Sequence, residues 1–213
     1  MAKIPSLLAA LAMVPLLRAE GQHIPKKPLP LAGAPTLGSH DARVAVIEFA
    51  DFQCPYCAAF AVKTLPYLEK EYVETGKVVF AFRHFPLDGH RLAPKASAAA
   101  DCAFRQGNFW EMYDALYLNQ RALDEPSLTA RAEKLGLNQT MFANCLNGVG
   151  AVRVRQDTSS GHDLGLTGTP TFFIGTILPD ATVRVSQRFE GARSLDAFES
   201  ILDRLISASA AQR

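Results

Sequence analysis

The chain has 213 residues, 48% of them apolar and 20% charged, with a formal net charge of +1 at pH 7. Those proportions describe an ordinary globular protein of one domain, or one domain carrying an insertion. Near-neutrality argues against a nucleic-acid binder, which needs a basic stripe, and neither a fixed-period repeat nor a block of like charge is present.

The first residues predict an export signal. Lys3 supplies a short positive end, and "IPSLLAALAMVPLL" (residues 4–17) supplies an apolar core. That core is too short to span a bilayer comfortably, which takes about 20 residues, but it suits a signal peptide. Cleavage is expected after Ala19, giving residues 1–19 as the signal; an apolar N-terminal helix packed on the domain is the alternative. Residues 20–42 carry prolines at 25, 28, 30 and 35, which favour extended chain. They are expected to form an exposed linker, with the folded part beginning near Arg43.

"VAVIEFADF" (44–52) is apolar, β-branched and aromatic, as a buried strand is. Beyond it Phe60, Leu65, Leu68 and Tyr72 recur at helical spacing, Pro66 is expected to kink the helix, and Gly76 closes it. "KVVFAFRHFPL" (77–87) is a second strand, so the unit reads β-α-β. Residues 89–165 show no convincing strand. "PKASAAADCAFRQ", "NFWEMYDALYLNQ", "SLTARAEKLGL" and "QTMFANCLN" predict short helices broken at Gly107, Pro126 and Gly136, followed by a helical or mixed stretch over Val152–Leu164. "TPTFFIG" (169–175) and "TVRVSQRFEG" (182–191) read as strands. "SLDAFESILDRLI" (194–206) is an amphipathic helix with Ser194 as N-cap and Leu195, Phe198, Ile201, Leu202 and Leu205 on one face. The fold class is α/β, a small sheet interrupted by a helical insertion.

The first strand runs into "DFQCPYC" (51–57), where Cys54 and Cys57 stand two residues apart. A structural zinc site takes four ligands, commonly two such pairs. Here there is one pair, and His23, His40, His84, His90 and His162 show no matching spacing, so no metal is expected. A purely structural disulfide over so short a loop removes little unfolded-state entropy. Redox chemistry has a mechanism. Cys54 opens a helix with Pro55 at its first position, where a missing N–H is harmless. The free amides of Tyr56, Cys57 and Ala58 and the helix dipole then favour negative charge on its sulfur. Such a thiol has its pKa lowered from about 8.5 into a range of roughly 3.5–7.5. Cys54 is then the attacking thiolate, and the deeper Cys57 stays protonated until it resolves the mixed disulfide.

"EFADFQCPYC", "FRHFPL", "AAADCAFRQGNFWEMYDALY" and "GLTGTPTFFIG" together resemble the DsbA-like thiol:disulfide oxidoreductases of bacterial cell envelopes, over roughly residues 38–206. The resemblance implies a thioredoxin-like fold built from 43–88 and 166–207, with the helical insertion at 89–165. It implies that Pro170 is cis and lies beside the cysteines, so that Thr169 offers its amide and carbonyl to an extended substrate chain, with Pro55 and Tyr56 also at the substrate face. It also places Glu48 as a buried carboxylate under the cysteines, its pKa raised, passing a proton to and from Cys57; a solvent-facing glutamate is the alternative. Asp51 and His84 fall near the site without any spacing that demands a role for them. Four cysteines allow three pairings. Some relatives carry a second disulfide among these helices, which favours Cys102–Cys145 beside Cys54–Cys57, against two buried free thiols.

The leading functional expectation is an exported enzyme that donates the Cys54–Cys57 disulfide to unfolded or reduced, newly translocated proteins in the periplasm. It would use no cofactor, act as a monomer, and be reoxidised by a membrane quinone-linked thiol oxidase. Tyr56 in place of a histidine, and Thr169 in place of an apolar residue, keep an envelope reductase or isomerase open. The fold is expected to start near Arg43, which leaves no room before it for an isomerase's dimerisation domain. A chaperone-like peptide-binding module and a cytosolic glutathione-dependent enzyme are the remaining alternatives.

Overall fold

The computed structural model describes residues 23–39 and 41–211, and the expected signal at 1–19 lies outside them. In chain order come β1 (Leu29–Pro30), β2 (Thr36–Leu37), β3 (Val44–Ala50), α1 (Pro55–Lys63), α2 (Leu65–Leu68) leading into a π-helical turn (Glu69–Val73), and β4 (Val78–His84). Five helices follow: α3 (Ala93–Phe104), α4 (Phe109–Leu118), α5 (Glu125–Lys134), α6 (Gln139–Leu146) and α7 (Val149–Asp163). The chain closes with β5 (Thr171–Ile177), β6 (Thr182–Glu190) and α8 (Leu195–Ala210).

The sheet has the order β1-β6-β5-β3-β4-β2, with β3 and β4 parallel and every other neighbour antiparallel. β3 is buried at all seven positions, because both faces of the sheet are covered, and a strand covered twice needs a continuous apolar run. Val44, Val46 and Ala50 face the helical core with Phe60, Phe80, Phe82 and Phe172. Ala45, Ile47 and Phe49 face a second core with Phe85, Leu166, Phe173 and Val183. Glu48 is the one charged residue on β3, opposite Phe82 and Phe172.

Within the expected linker at 20–42, residues 23–39 run without helix but are not an exposed linker. β1 pairs with β6 at one edge of the sheet and β2 with β4 at the other, so the segment crosses the second core face, where Leu29, Leu31 and Ala34 pack. The folded part therefore begins before Arg43. Arg83 fastens the strap by donating to the Pro30 carbonyl at 2.7 Å, and Trp110 Nε1 donates to the Thr36 carbonyl at 3.2 Å. Prolines suit this role, since an edge strand can face a missing N–H outwards, and open edges on β4 and β6 would otherwise be left unpaired.

Two helix expectations also change. Pro126 does not break a helix; it sits in the first turn of α5, whose N-cap Asp124 accepts the Ser127 amide at 3.1 Å. Ser194 occupies the N-cap of α8 without a side-chain capping bond, and the helix runs to Ala210 rather than ending at 206. The proline effect at 66 appears as a break at Thr64 between α1 and α2, where Pro66 cannot continue the hydrogen-bond ladder.

α3 is alanine-rich and buried along most of its length, which lets its neighbours approach closely. Cys102 on α3 and Cys145 on α6 form a disulfide with Cα atoms 5.7 Å apart. α7 crosses this bridge at Gly150, where a Cβ would sit 2.8 Å from the Cys102 sulfur and 2.9 Å from the Ala98 carbonyl. Only glycine allows that approach. The bridge closes a loop with a sequence separation of 43. Replacing both cysteines by serine is expected to lower the unfolding free energy by about 4 kcal/mol, read from urea denaturation, with the labelling rate of Cys54 unchanged.

Candidate active site

β3 ends at Ala50, and the turn Asp51–Gln53 delivers Cys54 to the N-cap of α1 with extended backbone, φ −73° and ψ 123°. The turn is held from several sides. Its own backbone closes with the Cys54 amide donating to the Asp51 carbonyl at 3.1 Å. The fully buried Asp51 carboxylate accepts the Gln53 amide at 2.6 Å, the Leu87 amide at 2.8 Å and lies 2.7 Å from His90 Nδ1. Gln53 Oε1 takes the Leu92 amide at 2.9 Å, so the segment after β4 is laced to the cysteine turn. From the insertion, Gln120 Nε2 reaches the carbonyls of Phe52 and Cys54 at 2.8 and 2.9 Å.

Cys54 and Cys57 are free thiols, 3% and 0% exposed. The Cys54 thiol is lowered to about 5. The largest cause is the hydrogen bond from the Cys57 thiol, which outweighs the opposing effect of burial; Thr169 and the amides of Cys57 and Tyr56 add to it. The Ala58 amide does not join them, contrary to the expectation from sequence. It donates instead to the Cys54 carbonyl at 3.1 Å, making the first bond of the helix. Cys57 is driven the other way, first by burial, then by the same hydrogen bond, then by the nearby Glu48 charge.

Glu48 is fully buried. Burial raises its pKa well above the usual carboxylate value, a hydrogen bond from Tyr113 opposes this, and Cys54 adds to the rise. That bond is long, 3.5 Å to Oε2, and Oε1 has no protein partner. Tyr113 and Tyr117, both on α4, were not singled out in the sequence; their spacing on an apolar helix face reads as core. Their rings pack on Phe52 at 6.0 and 4.8 Å between centroids, and the Tyr117 hydroxyl is buried without a partner.

The Thr169–Pro170 peptide bond is cis. It brings Thr169 against the cysteines, where the Cys54 thiol lies 3.4 Å from the Thr169 carbonyl. Pro55 and Tyr56 are exposed at the start of α1, Tyr56 to 64%. His84 ends β4 fully buried among Phe52, Phe82 and Phe109, and burial lowers it to about 4, so the ring is neutral at ordinary pH. Among the described residues no three His, Cys, Asp or Glu side chains gather as a metal would require.

The thioredoxin family model matches residues 32–204. The α-DsbA1 structure of Wolbachia pipientis superposes with a TM-score of 0.75 at 27% identity, covering 86% of this chain and 96% of that one. The probable disulfide bond formation protein D of Bacillus anthracis is 32% identical over 149 residues, 65% of this chain and 68% of that protein. The chain is a DsbA-like thiol:disulfide oxidoreductase of the thioredoxin family. A similarity of another kind is to the Na(+)/H(+) antiporter NhaA 3 of Salinispora tropica, 39% identical over 139 residues. That match takes in 64% of this chain, which spans only about a fifth of that relative's length (21%).

For this DsbA-like chain the Cys54 environment carries a pH signature. The folded value of about 5 lies below that of an unfolded thiol, about 8.5. Between the two, the unfolded reduced chain binds a proton that the folded one does not, so stability rises with pH. The reduced form is expected to gain stability over the oxidised form as pH is raised from about 5 to about 8, and to lose that gain on acidification. Paired urea titrations check this; a difference independent of pH would contradict the assignment.

Proposed function

We propose that this chain is an exported disulfide donor whose Cys54–Cys57 pair oxidises newly translocated, reduced proteins in the cell envelope. The observation that carries the reading is the Cys54 sulfur, buried beside a cis proline and surrounded by donors that favour its thiolate. A stabilised thiolate favours the reduced pair, so the disulfide is a strong oxidant, and it makes Cys54 a good leaving group.

The reaction starts from the oxidised pair. A substrate thiolate attacks the Cys54 sulfur, the Cys54–Cys57 bond breaks, and Cys57 leaves, taking a proton from the Glu48 carboxyl. A second substrate thiolate then attacks the substrate sulfur of the mixed disulfide, and Cys54 leaves as the thiolate. The substrate gains one disulfide, and the pair has accepted two electrons. A quinone-linked thiol oxidase of the membrane is the proposed electron acceptor that restores the pair. Thr169 and the cis Pro170, with Pro55 and Tyr56, are the proposed substrate contacts, and recognition through backbone hydrogen bonds suits extended chains of varied sequence.

The alternative direction is reduction or isomerisation, favoured by Thr169 before the proline. The equilibrium with glutathione separates the two. A donor is expected well above the thioredoxin-like level of about −270 mV, towards roughly −120 mV; a value near the lower figure makes a reductase the better name. The Cys57→Ser variant, with Cys54 first converted to its mixed disulfide with glutathione, is expected to exchange that glutathione for the thiols of reduced unfolded proteins and to accumulate the resulting mixed disulfides, visible on non-reducing gels. Binding without any trapped species would favour a peptide-binding module. Glu48→Gln removes the proton carrier while keeping the shape. It is expected to slow cleavage of the Cys54–Cys57 disulfide by a substrate thiolate, and its reverse, attack of Cys57 on a preformed mixed disulfide, by about 10²-fold, the low end of general acid–base assistance, with alkylation of the free Cys54 thiolate little changed.

A further inference from the structure

Gln120 lies two residues beyond the end of α4, on a turn pinned by Arg131. That guanidinium donates to the carbonyls of Asn119, at 2.8 Å, and Ala122. From this fixed turn the Gln120 carboxamide gives both its Nε2 hydrogens to backbone carbonyls on the two sides of the cysteine turn, Phe52 at 2.8 Å and Cys54 at 2.9 Å. The Cys54 carbonyl also accepts the Ala58 amide at 3.1 Å, so both its lone pairs are used. The same insertion grips Phe52 through the rings of Tyr113 and Tyr117.

These contacts set two things. Geometrically, a single planar NH₂ group ties two carbonyls together, which fixes the peptide planes that lead into α1. The amides of Tyr56 and Cys57 can converge on the sulfur only while those planes hold. Electrostatically, a carbonyl next to a thiolate presents the negative end of a dipole to it, and a donor on that oxygen offsets the repulsion. Asp51 and Gln53 hold the turn from the opposite side, but through amides and side chains rather than the Cys54 carbonyl.

We propose that Gln120 is a positioning residue for Cys54: through it the helical insertion holds the backbone on both sides of the nucleophile and keeps the Tyr56 and Cys57 amides turned on its sulfur. The inference rests on the reading of Cys54 as the nucleophile. It gives the insertion a part in the redox chemistry itself, because a change in the α4–α5 turn is transmitted to the sulfur.

The test uses the full reduced chain as wild type, Gln120→Ala and Gln120→Glu, following iodoacetamide labelling of Cys54 against pH and the equilibrium with glutathione. The wild-type midpoint is expected near the Cys54 value of about 5. In Gln120→Ala it is expected to rise by about one pH unit, the weight of one such hydrogen bond, and the glutathione equilibrium to move about tenfold towards the disulfide. Gln120→Glu is expected to shift both further, because an ionised carboxylate has no hydrogen to donate and faces two carbonyls and a thiolate. This variant keeps the test decisive if the alanine loosens the turn. A wild-type midpoint near 5 with both variants within about 0.2 pH unit of it overturns the role of Gln120 alone, even if thermal stability falls. A wild-type midpoint near an ordinary thiol value of about 8.5 overturns the nucleophile reading and this inference with it.

Discussion

One hydrogen bond, from the Cys57 thiol to the Cys54 sulfur, sets the asymmetry on which the rest of the site depends. It is the largest influence lowering Cys54, and the same contact raises Cys57. Two cysteines three positions apart on one helix thereby acquire opposite tendencies to ionise. The helix supports this because its first turn lacks a hydroxyl or carboxyl cap. A serine or aspartate at the N-cap would take the free amides for itself; here the Cys54 sulfur receives those of Cys57 and Tyr56.

This arrangement opposes burial rather than following it. Cys54 is 3% exposed, and desolvation alone would favour the neutral thiol. The structure offsets that from separate parts of the chain: the Cys57 thiol and the α1 amides locally, and Thr169 from beyond the insertion. Glu48 has no such compensation. It lies in the sheet between Phe82 and Phe172 with a single long hydrogen bond, so its neutral form is favoured. Burial drives this carboxyl towards its protonated form, and the Glu48 charge in turn opposes ionisation of the buried Cys57 thiol. Such groups destabilise a fold and persist where chemistry uses them.

The helical insertion does more than cover the sheet. α4 brings Tyr113 to Glu48, Tyr117 to Phe52, and the turn after it brings Gln120 to the cysteine backbone. The insertion is in turn organised by the alanine-rich α3, which Cys102–Cys145 ties to α6 and which α7 crosses at Gly150. On the other face of the sheet, the proline-rich strap closes both edges, and Arg83 fastens it while pairing with Asp157 on α7 at 3.0 Å.

What could be read from sequence followed from local rules. The apolar run 44–50, the spacing of Phe60, Leu65 and Leu68, and Pro55 after Cys54 each reflect short-range sterics and periodicity, so the β-α-β unit and the place of the cysteines at a helix N-terminus were legible. Residues 29–37 were misread because proline and glycine register only as a lack of helix or central strand; whether extended chain is free or docked depends on an unpaired edge elsewhere. Asp51 fell near the site with no spacing that fixed its role, and Gln120 carried no signal, for a similar reason, since each acts largely through backbone groups that sequence does not distinguish. The chain by itself determined the reactive pair, its helix, and the strand that carries Glu48, all within about one turn of local structure. Only the tertiary structure decided what holds the cysteine turn, because the Thr169 carbonyl facing the Cys54 thiol and the Gln120 amide on the Cys54 carbonyl lie 115 and 66 positions from Cys54, and hydrogen bonds act over ångströms in space rather than along the chain.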